Sequence, residues 1–125
     1  MNDLYLQKIA ETWIKLYYLP EDSSERDQHF WAYNKLSDLC QNEPEICWRI
    51  IHIIRRVDGS EKILANLAAG PLEDLLVNHG VDFIDNVEKL AQSDQQFRKM
   101  LGSVWQSGIS ESTWRRIKAV ASKSW

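Results

Sequence analysis

The residues best suited to chemistry are a histidine and two carboxylates in the middle of the chain. His79 lies six residues after Glu73 and six residues before Asp85. A fold that brought either carboxylate to the imidazole would create a general acid–base pair. Acids in a first helical turn, or at i, i+3 and i+6, are also typical of solvated helix faces. An enzyme or small-ligand domain using His79 with Glu73 or Asp85 is therefore an alternative hypothesis, and no catalytic residue is assigned.

The spacing of the histidine and cysteine residues does not predict a metal site or a reactive pair of cysteines. None of His29, His52 and His79 has another His or a Cys at i, i+4, the spacing that places two ligands on one helix face. Cys40 and Cys47 are too few for a disulfide scaffold and do not form a CxxC pair. We expect both to be reduced thiols in the core, and we expect neither a metal ion nor a cofactor.

An acidic surface is the first candidate for binding. Between residues 71 and 94 only Lys89 opposes a series of carboxylates, and such a field would steer a basic protein toward it. A surface that is merely solvated remains the alternative. We call the candidate the acidic face, and its members are Glu21, Asp22, Glu73, Asp74, Asp82, Asp85 and Glu88.

An aromatic and basic surface on the segment 44–57 is the second candidate. Tryptophan and arginine dominate the hot spots of protein interfaces. The same side chains can also lie with their apolar stems over the edge of a core. We call this candidate the aromatic–basic face, and its members are Trp48, Arg49, His52, Arg55 and Arg56.

Charge is distributed unevenly along the chain. Residues 1–94 contain 17 acidic and 9 basic side chains, a net charge of −8, whereas residues 95–125 carry +5. An acidic body argues against a general nucleic-acid binder, although an adaptor acting through the basic C-terminal helices stays an alternative. The basic residues of that part are Arg98, Lys99, Arg115, Arg116, Lys118 and Lys123.

The elements that must position these residues are helices. Apolar side chains recur at helical spacing along nearly the whole chain, which predicts an all-α fold. We expect a compact array of seven to eight short antiparallel helices packed as hairpins, with solenoid-like stacking as a variant. The apolar residues of 45–57 cover an arc of about 160°, so this segment is predicted to be a central helix rather than an isoleucine-rich strand. Trp48 and Trp105 are expected to be buried.

The stretch "AAGPLEDLLVNHG" is predicted to be a tightly bounded helix rather than a site. Gly70 would end the preceding helix in the left-handed conformation, and Pro71 would start the next one. Gly80 would supply a second left-handed residue, with Val81 folding back on the leucines.

Two further helix starts follow from capping residues. Ser23 or Ser24 is expected to cap a second helix that ends near Asn42. Ser93 and Gln96 have the spacing of a capping box.

Length and composition predict one domain over residues 1–125. The chain has 44% hydrophobic and 26% charged residues, which is typical of a globular protein. No apolar run approaches the roughly 18 residues needed to cross a bilayer, and the N-terminus does not resemble a signal peptide. We therefore expect a cytoplasmic protein without membrane contact.

The segments "DLCQNEPEICWRIIHII" and "ILANLAAGPLEDLLVNHGVDFIDNVEKLAQSDQQFRKMLGSVW" resemble an uncharacterised family of small bacterial domains. The shared features are a Gly-Pro-Leu-Glu-Asp-Leu-Leu signature, a His-Gly and a Phe-Ile-Asp, and the resemblance is strongest over residues 36–116. Trp114 resembles the tail tryptophan of that family, whereas residues 1–30 match poorly. The resemblance implies an all-helical fold and a bacterial source, and it transfers no catalytic residue.

Small acidic bacterial proteins of this kind are often immunity partners of secreted toxins, including those of contact-dependent growth inhibition. By this analogy, the leading hypothesis is a protein-binding protein that neutralises a cognate basic toxin domain. The sequence leaves the oligomeric state open.

Overall fold

Helices make up all of the regular structure in residues 2–121, the part of the chain that the computed structural model describes. The predicted all-α class is confirmed. No helix in this range is long and apolar enough to cross a membrane. Lys123 lies outside the described residues. Between residues 2 and 121 eight α-helices follow one another: α1 (Asp3–Leu16), α2 (Ser24–His29), α3 (Trp31–Asn42), α4 (Pro44–Val57), α5 (Glu61–Leu67), α6 (Glu73–Ser93), α7 (Gln95–Leu101) and α8 (Glu111–Ala121).

Helix α4 lies at the centre of the packing, as its wide apolar arc predicted. It contacts α1, α3, α5 and α6, and Cys47, Ile50, Ile51 and Ile54 are fully buried on it. Helix α1 packs more extensively on α4 than on α2 or α3. A solenoid, in which each unit contacts only its neighbours, describes this arrangement poorly.

Side-chain caps and a proline explain where several helices begin. The Asn2 side chain accepts a hydrogen bond from the Tyr5 N–H at 2.9 Å and starts α1. Pro44 takes the first position of α4, where its missing N–H leaves no bond unmade. Ser60 starts α5 by accepting from the Ile63 N–H at 3.3 Å.

The predicted second helix is divided into two. Ser23 accepts a hydrogen bond from the Arg26 N–H at 3.1 Å, but the helix it caps is α2, which ends at His29. The Phe30 N–H bonds to Asp27 rather than continuing the α-helical ladder. Helix α3 then begins at Trp31.

The capping box predicted at Ser93 is wrong. Asp94 is the N-cap of α7, and its side chain accepts a hydrogen bond from the Phe97 N–H at 2.9 Å. The same carboxylate also binds Arg55 of α4. Asp94 therefore both caps α7 and joins it to α4.

The prediction that Cys40 and Cys47 are reduced thiols is wrong in this structure. The two residues form a disulfide with their Cα atoms 5.0 Å apart, and both are fully buried. Only Glu43 separates α3 from α4. This short corner brings the end of one helix beside the start of the next, within the usual Cα separation of a disulfide.

A π-helical segment, Ala68–Leu72, joins α5 to α6. The sequence predicted that one helix would end at Gly70 and the next would start at Pro71. Pro71 lies inside it; a proline has no N–H to donate, and its ring crowds the carbonyl four residues earlier. A wider turn relieves both problems. Gly70 belongs to this segment and does not have a positive φ, so its predicted left-handed conformation is wrong.

Helix α6 continues past Gly80 instead of ending there. The helix has a kink at His79, where φ is −139° and ψ is 23°. Gly80 has no positive φ, and Val81 is 77% exposed rather than folded back on the leucines. A Cβ atom on Gly80 would lie 3.1 Å from Cγ2 of Thr113 in α8. Gly80 is thus required for the close approach of α6 and α8 rather than for a turn.

Candidate functional site

The strongest candidate for a functional site is formed by the first half of α6 and the loop 102–110 between α7 and α8. Trp105 in this loop is 74% exposed, which contradicts the prediction that it is buried. Val77 and Val81 are exposed one turn apart on α6. Asp82 is also exposed. We call Val77, Val81, Asp82 and Trp105 the Trp105 surface.

Glu73 fixes the loop that carries Trp105. One of its carboxylate oxygens accepts a hydrogen bond from the Trp105 backbone N–H at 3.2 Å. The other accepts from the Ser107 hydroxyl, also at 3.2 Å. The carboxylate at the start of α6 therefore holds the loop at two points, one of them the backbone of Trp105 itself.

Ser107 stores strain in the same loop. Its φ of 41° is the only positive value among the non-glycine residues of the described chain. A non-glycine residue in this region costs of the order of 1 kcal/mol or more and persists where surrounding contacts enforce it. The enforcing contacts are the bond to Glu73 and a turn closed by the Ile109 N–H on the Gln106 carbonyl at 2.7 Å.

The loop also packs directly on α6. A Cβ atom on Gly108 would lie 3.2 Å from Cγ1 of Val77, so the loop backbone runs against this valine. Between the two elements lies a shallow depression of about 180 Å³, lined by Leu76 to Asp82, Gly108 and Ser110. The depression is located at the kink of α6.

The structure divides the predicted acidic face. Asp85 and Glu88 bind Arg116 of α8, with oxygen–nitrogen distances of 2.6 and 2.5 Å. The hydrogen bond from Arg116 lowers the pKa of Glu88, outweighing the opposing effect of burial. These two carboxylates join α6 to α8 through Arg116, although the Asp85 side chain is still 86% exposed.

Asp74 and Asp82 are the remaining carboxylates of the acidic face on α6. Burial, and then the charge of Glu73, raise the pKa of Asp74. Asp82 makes no hydrogen bond or ion pair with any residue between 2 and 121. Glu21 and Asp22 precede α2, a helix that packs on α1 and α3 and not on α6. Of the acids on α6, Asp82 is exposed and has no hydrogen bond or ion pair among the described residues, a condition that it shares with Glu21 and Asp22 elsewhere on the chain.

The acid–base pair considered for His79 is not assembled. The Nε2 atom of His79 lies 2.7 Å from the Gln41 carbonyl oxygen. No hydrogen bond joins it to Glu73 or Asp85 within the described part of the chain, because Glu73 binds the loop and Asp85 binds Arg116. His79 instead ties the kink of α6 to the end of α3.

Trp48 and His52 of the aromatic–basic face point into the packing rather than out of it. Trp48 is half-buried against Phe83 and Phe97, with ring centroids 5.7 and 5.8 Å away. His52 meets Trp48 edge-on at 4.3 Å. Burial and the neighbouring Arg55 lower the pKa of His52 to about 4.

The arginines of the aromatic–basic face have separate surroundings. Arg55 forms an ion pair with Asp94 and lies 5.4 Å from the Phe97 ring centroid. Its side chain is only 10% exposed. Arg49 pairs with Asp3 at 2.7 Å, whereas Arg56 is exposed. The five residues therefore do not form one outward surface.

The basic residues near the C-terminus are also spread over different contacts. Arg98 is buried and donates to the Ala91 carbonyl at 2.8 Å. Lys99 lies 3.8 Å from Glu61, and Arg115 pairs with Glu111 at 2.9 Å. Within residues 2–121, Arg98, Lys99 and Arg115 thus each have a partner inside the chain, and Lys118 is exposed.

A larger cleft of about 890 Å³ lies between α5 and α7. Its charged lining residues are Glu61, Arg98 and Lys99, of which Glu61 and Lys99 lie 3.8 Å apart, and Leu64 and Met100 supply apolar surface. Ligand sites usually combine apolar walls with a few polar groups; in this cleft Glu61 and Lys99 are paired with each other, and Arg98 donates to the Ala91 carbonyl. Among residues 2–121, no group of three His, Cys, Asp or Glu side chains could hold a metal ion.

One comparison with known proteins gives a match. A model of a family of unknown function (DUF6869) matches residues 20–125, a range that contains the Trp105 surface and excludes α1. The match agrees with the predicted resemblance to an uncharacterised family. No curated protein and no solved structure matches the chain.

Proposed function

Because the chain belongs to the DUF6869 family, whose function is unknown, we propose a function from its surface: it is a small binding protein that docks a basic protein through the Trp105 surface. The observation that carries the proposal is the exposure of Trp105 on a loop that Glu73 and a strained Ser107 hold in place. A large apolar side chain kept in water by fixed backbone contacts is typical of an interface anchor.

Fixing the loop in advance favours tight binding. A side chain that is already positioned loses less conformational entropy when a partner covers it. Val77 and Val81 extend the apolar area beside the loop. The strain at Ser107 is then part of the arrangement that presents Trp105.

Charge sets the kind of partner. Asp82 is exposed on the Trp105 surface, and Asp74 lies on the same half of α6. The whole chain carries a net charge of −3. Carboxylates around an apolar anchor favour a basic partner and speed its association. The finer form of the proposal is an immunity protein that covers a cognate toxin domain, by analogy with other small acidic bacterial proteins.

The experiment measures the affinity of the chain for the protein encoded by the neighbouring gene, after co-expression and purification of the complex. Trp105→Ala should weaken binding by about 30-fold or more, because truncating an aromatic hot spot costs about 2 kcal/mol or more. Tyr33→Ala is the matched control, since Tyr33 is an aromatic residue 45% exposed on α3. Equal effects of the two substitutions would contradict the proposal.

A further inference from the structure

The depression beside the kink of α6 has the size of a pocket for one side chain. Its volume of about 180 Å³ lies below the roughly 300 Å³ at which pockets for small molecules begin. It opens on the surface between α6 and the loop 102–110. Size therefore favours a single protruding group of a partner over a free cofactor or metabolite.

The lining determines which group fits. Val77 and Val81 provide apolar walls, and Asp82 provides a carboxylate without a partner in the described residues. Asn78 donates its amide N–H to the Asp74 carbonyl at 2.8 Å, which leaves the amide oxygen as an acceptor.

Positive charge is missing from this lining. No Lys or Arg is among the described residues that form the depression. The Ser110 hydroxyl is engaged with Thr113 at 3.0 Å, and His79 is engaged with the Gln41 carbonyl. The charge left in the lining is the Asp82 carboxylate, beside the Asn78 amide and apolar walls, and this combination suits a side chain with an apolar stem and a cationic end.

We propose that this depression is the recognition pocket for one arginine or lysine side chain of the partner protein. The inference rests on the proposed function and adds a specific contact to it. The methylene stem lies between Val77 and Val81, and the cation pairs with the Asp82 carboxylate. Trp105, on the loop that forms one wall, anchors the partner next to this pocket.

Three blocked tripeptides test the pocket without any knowledge of the partner. Acetyl-Gly-Arg-Gly-amide and acetyl-Gly-Lys-Gly-amide carry the cation, and acetyl-Gly-citrulline-Gly-amide replaces it with a neutral group of similar shape. Titration into the ¹⁵N-labelled chain should shift the amide signals of Gly80, Val81 and Gly108. The citrulline peptide should bind at least threefold more weakly, because the ion pair is lost.

Two charge-matched variants locate the binding. Asp82→Asn should weaken binding of the arginine peptide by about threefold, as expected for a partly exposed ion pair. Asp22→Asn removes the same charge from an exposed acid between α1 and α2 and should leave binding unchanged. Equal affinity for the arginine and citrulline peptides, or signal shifts elsewhere on the chain, would overturn the inference.

The inference and the proposed function fail in different ways. Suppose that the peptides do not shift these amide signals but Trp105→Ala still weakens binding of the natural partner. The proposed pocket is then contradicted, and the proposed docking surface is supported. Suppose instead that the peptides bind at the depression but Trp105→Ala does not change the affinity for the partner. The proposed pocket is then supported, and the proposed docking through Trp105 is contradicted.

Discussion

At the scale of single residues, Glu73 is a charged side chain that holds the loop of Trp105 in position instead of contacting a partner. The sequence placed it on the acidic face, but both of its oxygens accept hydrogen bonds from the loop of Trp105. Asp85 and Glu88 are likewise occupied by Arg116. Asp82 has neither kind of contact among residues 2–121 and is the carboxylate beside the Trp105 loop that remains open to a partner.

His52 should make the free energy of unfolding depend on pH. Its pKa falls from 6.5 to about 4 in the folded chain, because of burial first and then the charge of Arg55, with Arg56 adding to the effect and Asp94 opposing it. The unfolded chain therefore takes up a proton first as the pH falls. The stabilisation is fully present above pH 6.5 and is lost as the pH falls toward 4.

The loss over this range should be about 2 kcal/mol, after a discount for the partial exposure of the ring. Urea unfolding at a series of pH values measures it. In His52→Gln the free energy of unfolding should be nearly flat between pH 6.5 and 5, although lower at neutral pH; below about pH 5 the carboxylates whose pKa values are lowered in the folded chain, such as Glu88, add a slope of their own. A slope that persists in this variant would show that another group causes it.

At the scale of elements, the kinked helix α6 organises the site. The π-helical segment leads into it, His79 ties its kink to α3, and Gly80 lets α8 approach closely. Arg116 then joins α8 to the carboxylates of the second half of α6. The first half is left to form the Trp105 surface.

Gly80 and Thr113 should be energetically coupled. Alanine is favoured over glycine inside a helix by about 1 kcal/mol, but its Cβ would lie 3.1 Å from the Thr113 methyl group. Crowding of a packed site costs roughly 1–3 kcal/mol, so we expect Gly80→Ala to lower the free energy of unfolding by about 1 kcal/mol.

Thr113→Ser removes the methyl group and keeps the hydroxyl that bonds to Ser110. In this background Gly80→Ala should raise the free energy of unfolding by about 0.5 kcal/mol. A double-mutant cycle followed by urea denaturation measures the difference. An identical effect of Gly80→Ala in both backgrounds would mean that crowding against the Thr113 methyl group does not cause the loss of stability.

At the scale of the whole molecule, the acidic and basic parts of the chain are interlocked. Lys99 pairs with Glu61, and Arg116 pairs with Asp85 and Glu88. The uneven charge of the sequence therefore does not become two separate fields. Asp82, which has no ion pair among the described residues, lies on the Trp105 surface and gives it a local negative charge.

One core predicts cooperative unfolding of the chain. Buried side chains from α1, α3, α4, α5, α6, α7 and α8 belong to a single cluster. With the disulfide kept oxidised, tryptophan fluorescence and far-ultraviolet circular dichroism should report one coincident urea transition. Two transitions, or midpoints that differ between the probes, would contradict the single domain predicted over residues 1–125.

The sequence by itself determined the helical class and the central helix, because periodic apolar side chains, Pro44 and Ser60 act through local contacts. Tertiary structure decided the exposure of Trp105, the disulfide between Cys40 and Cys47, and the role of Gly80. A flank of Gly, Ser and Gln around Trp105 was the available signal that it lies in a loop. The other features depend on distances between helices, and no local pattern of residues encodes which carboxylate an arginine from another helix will reach.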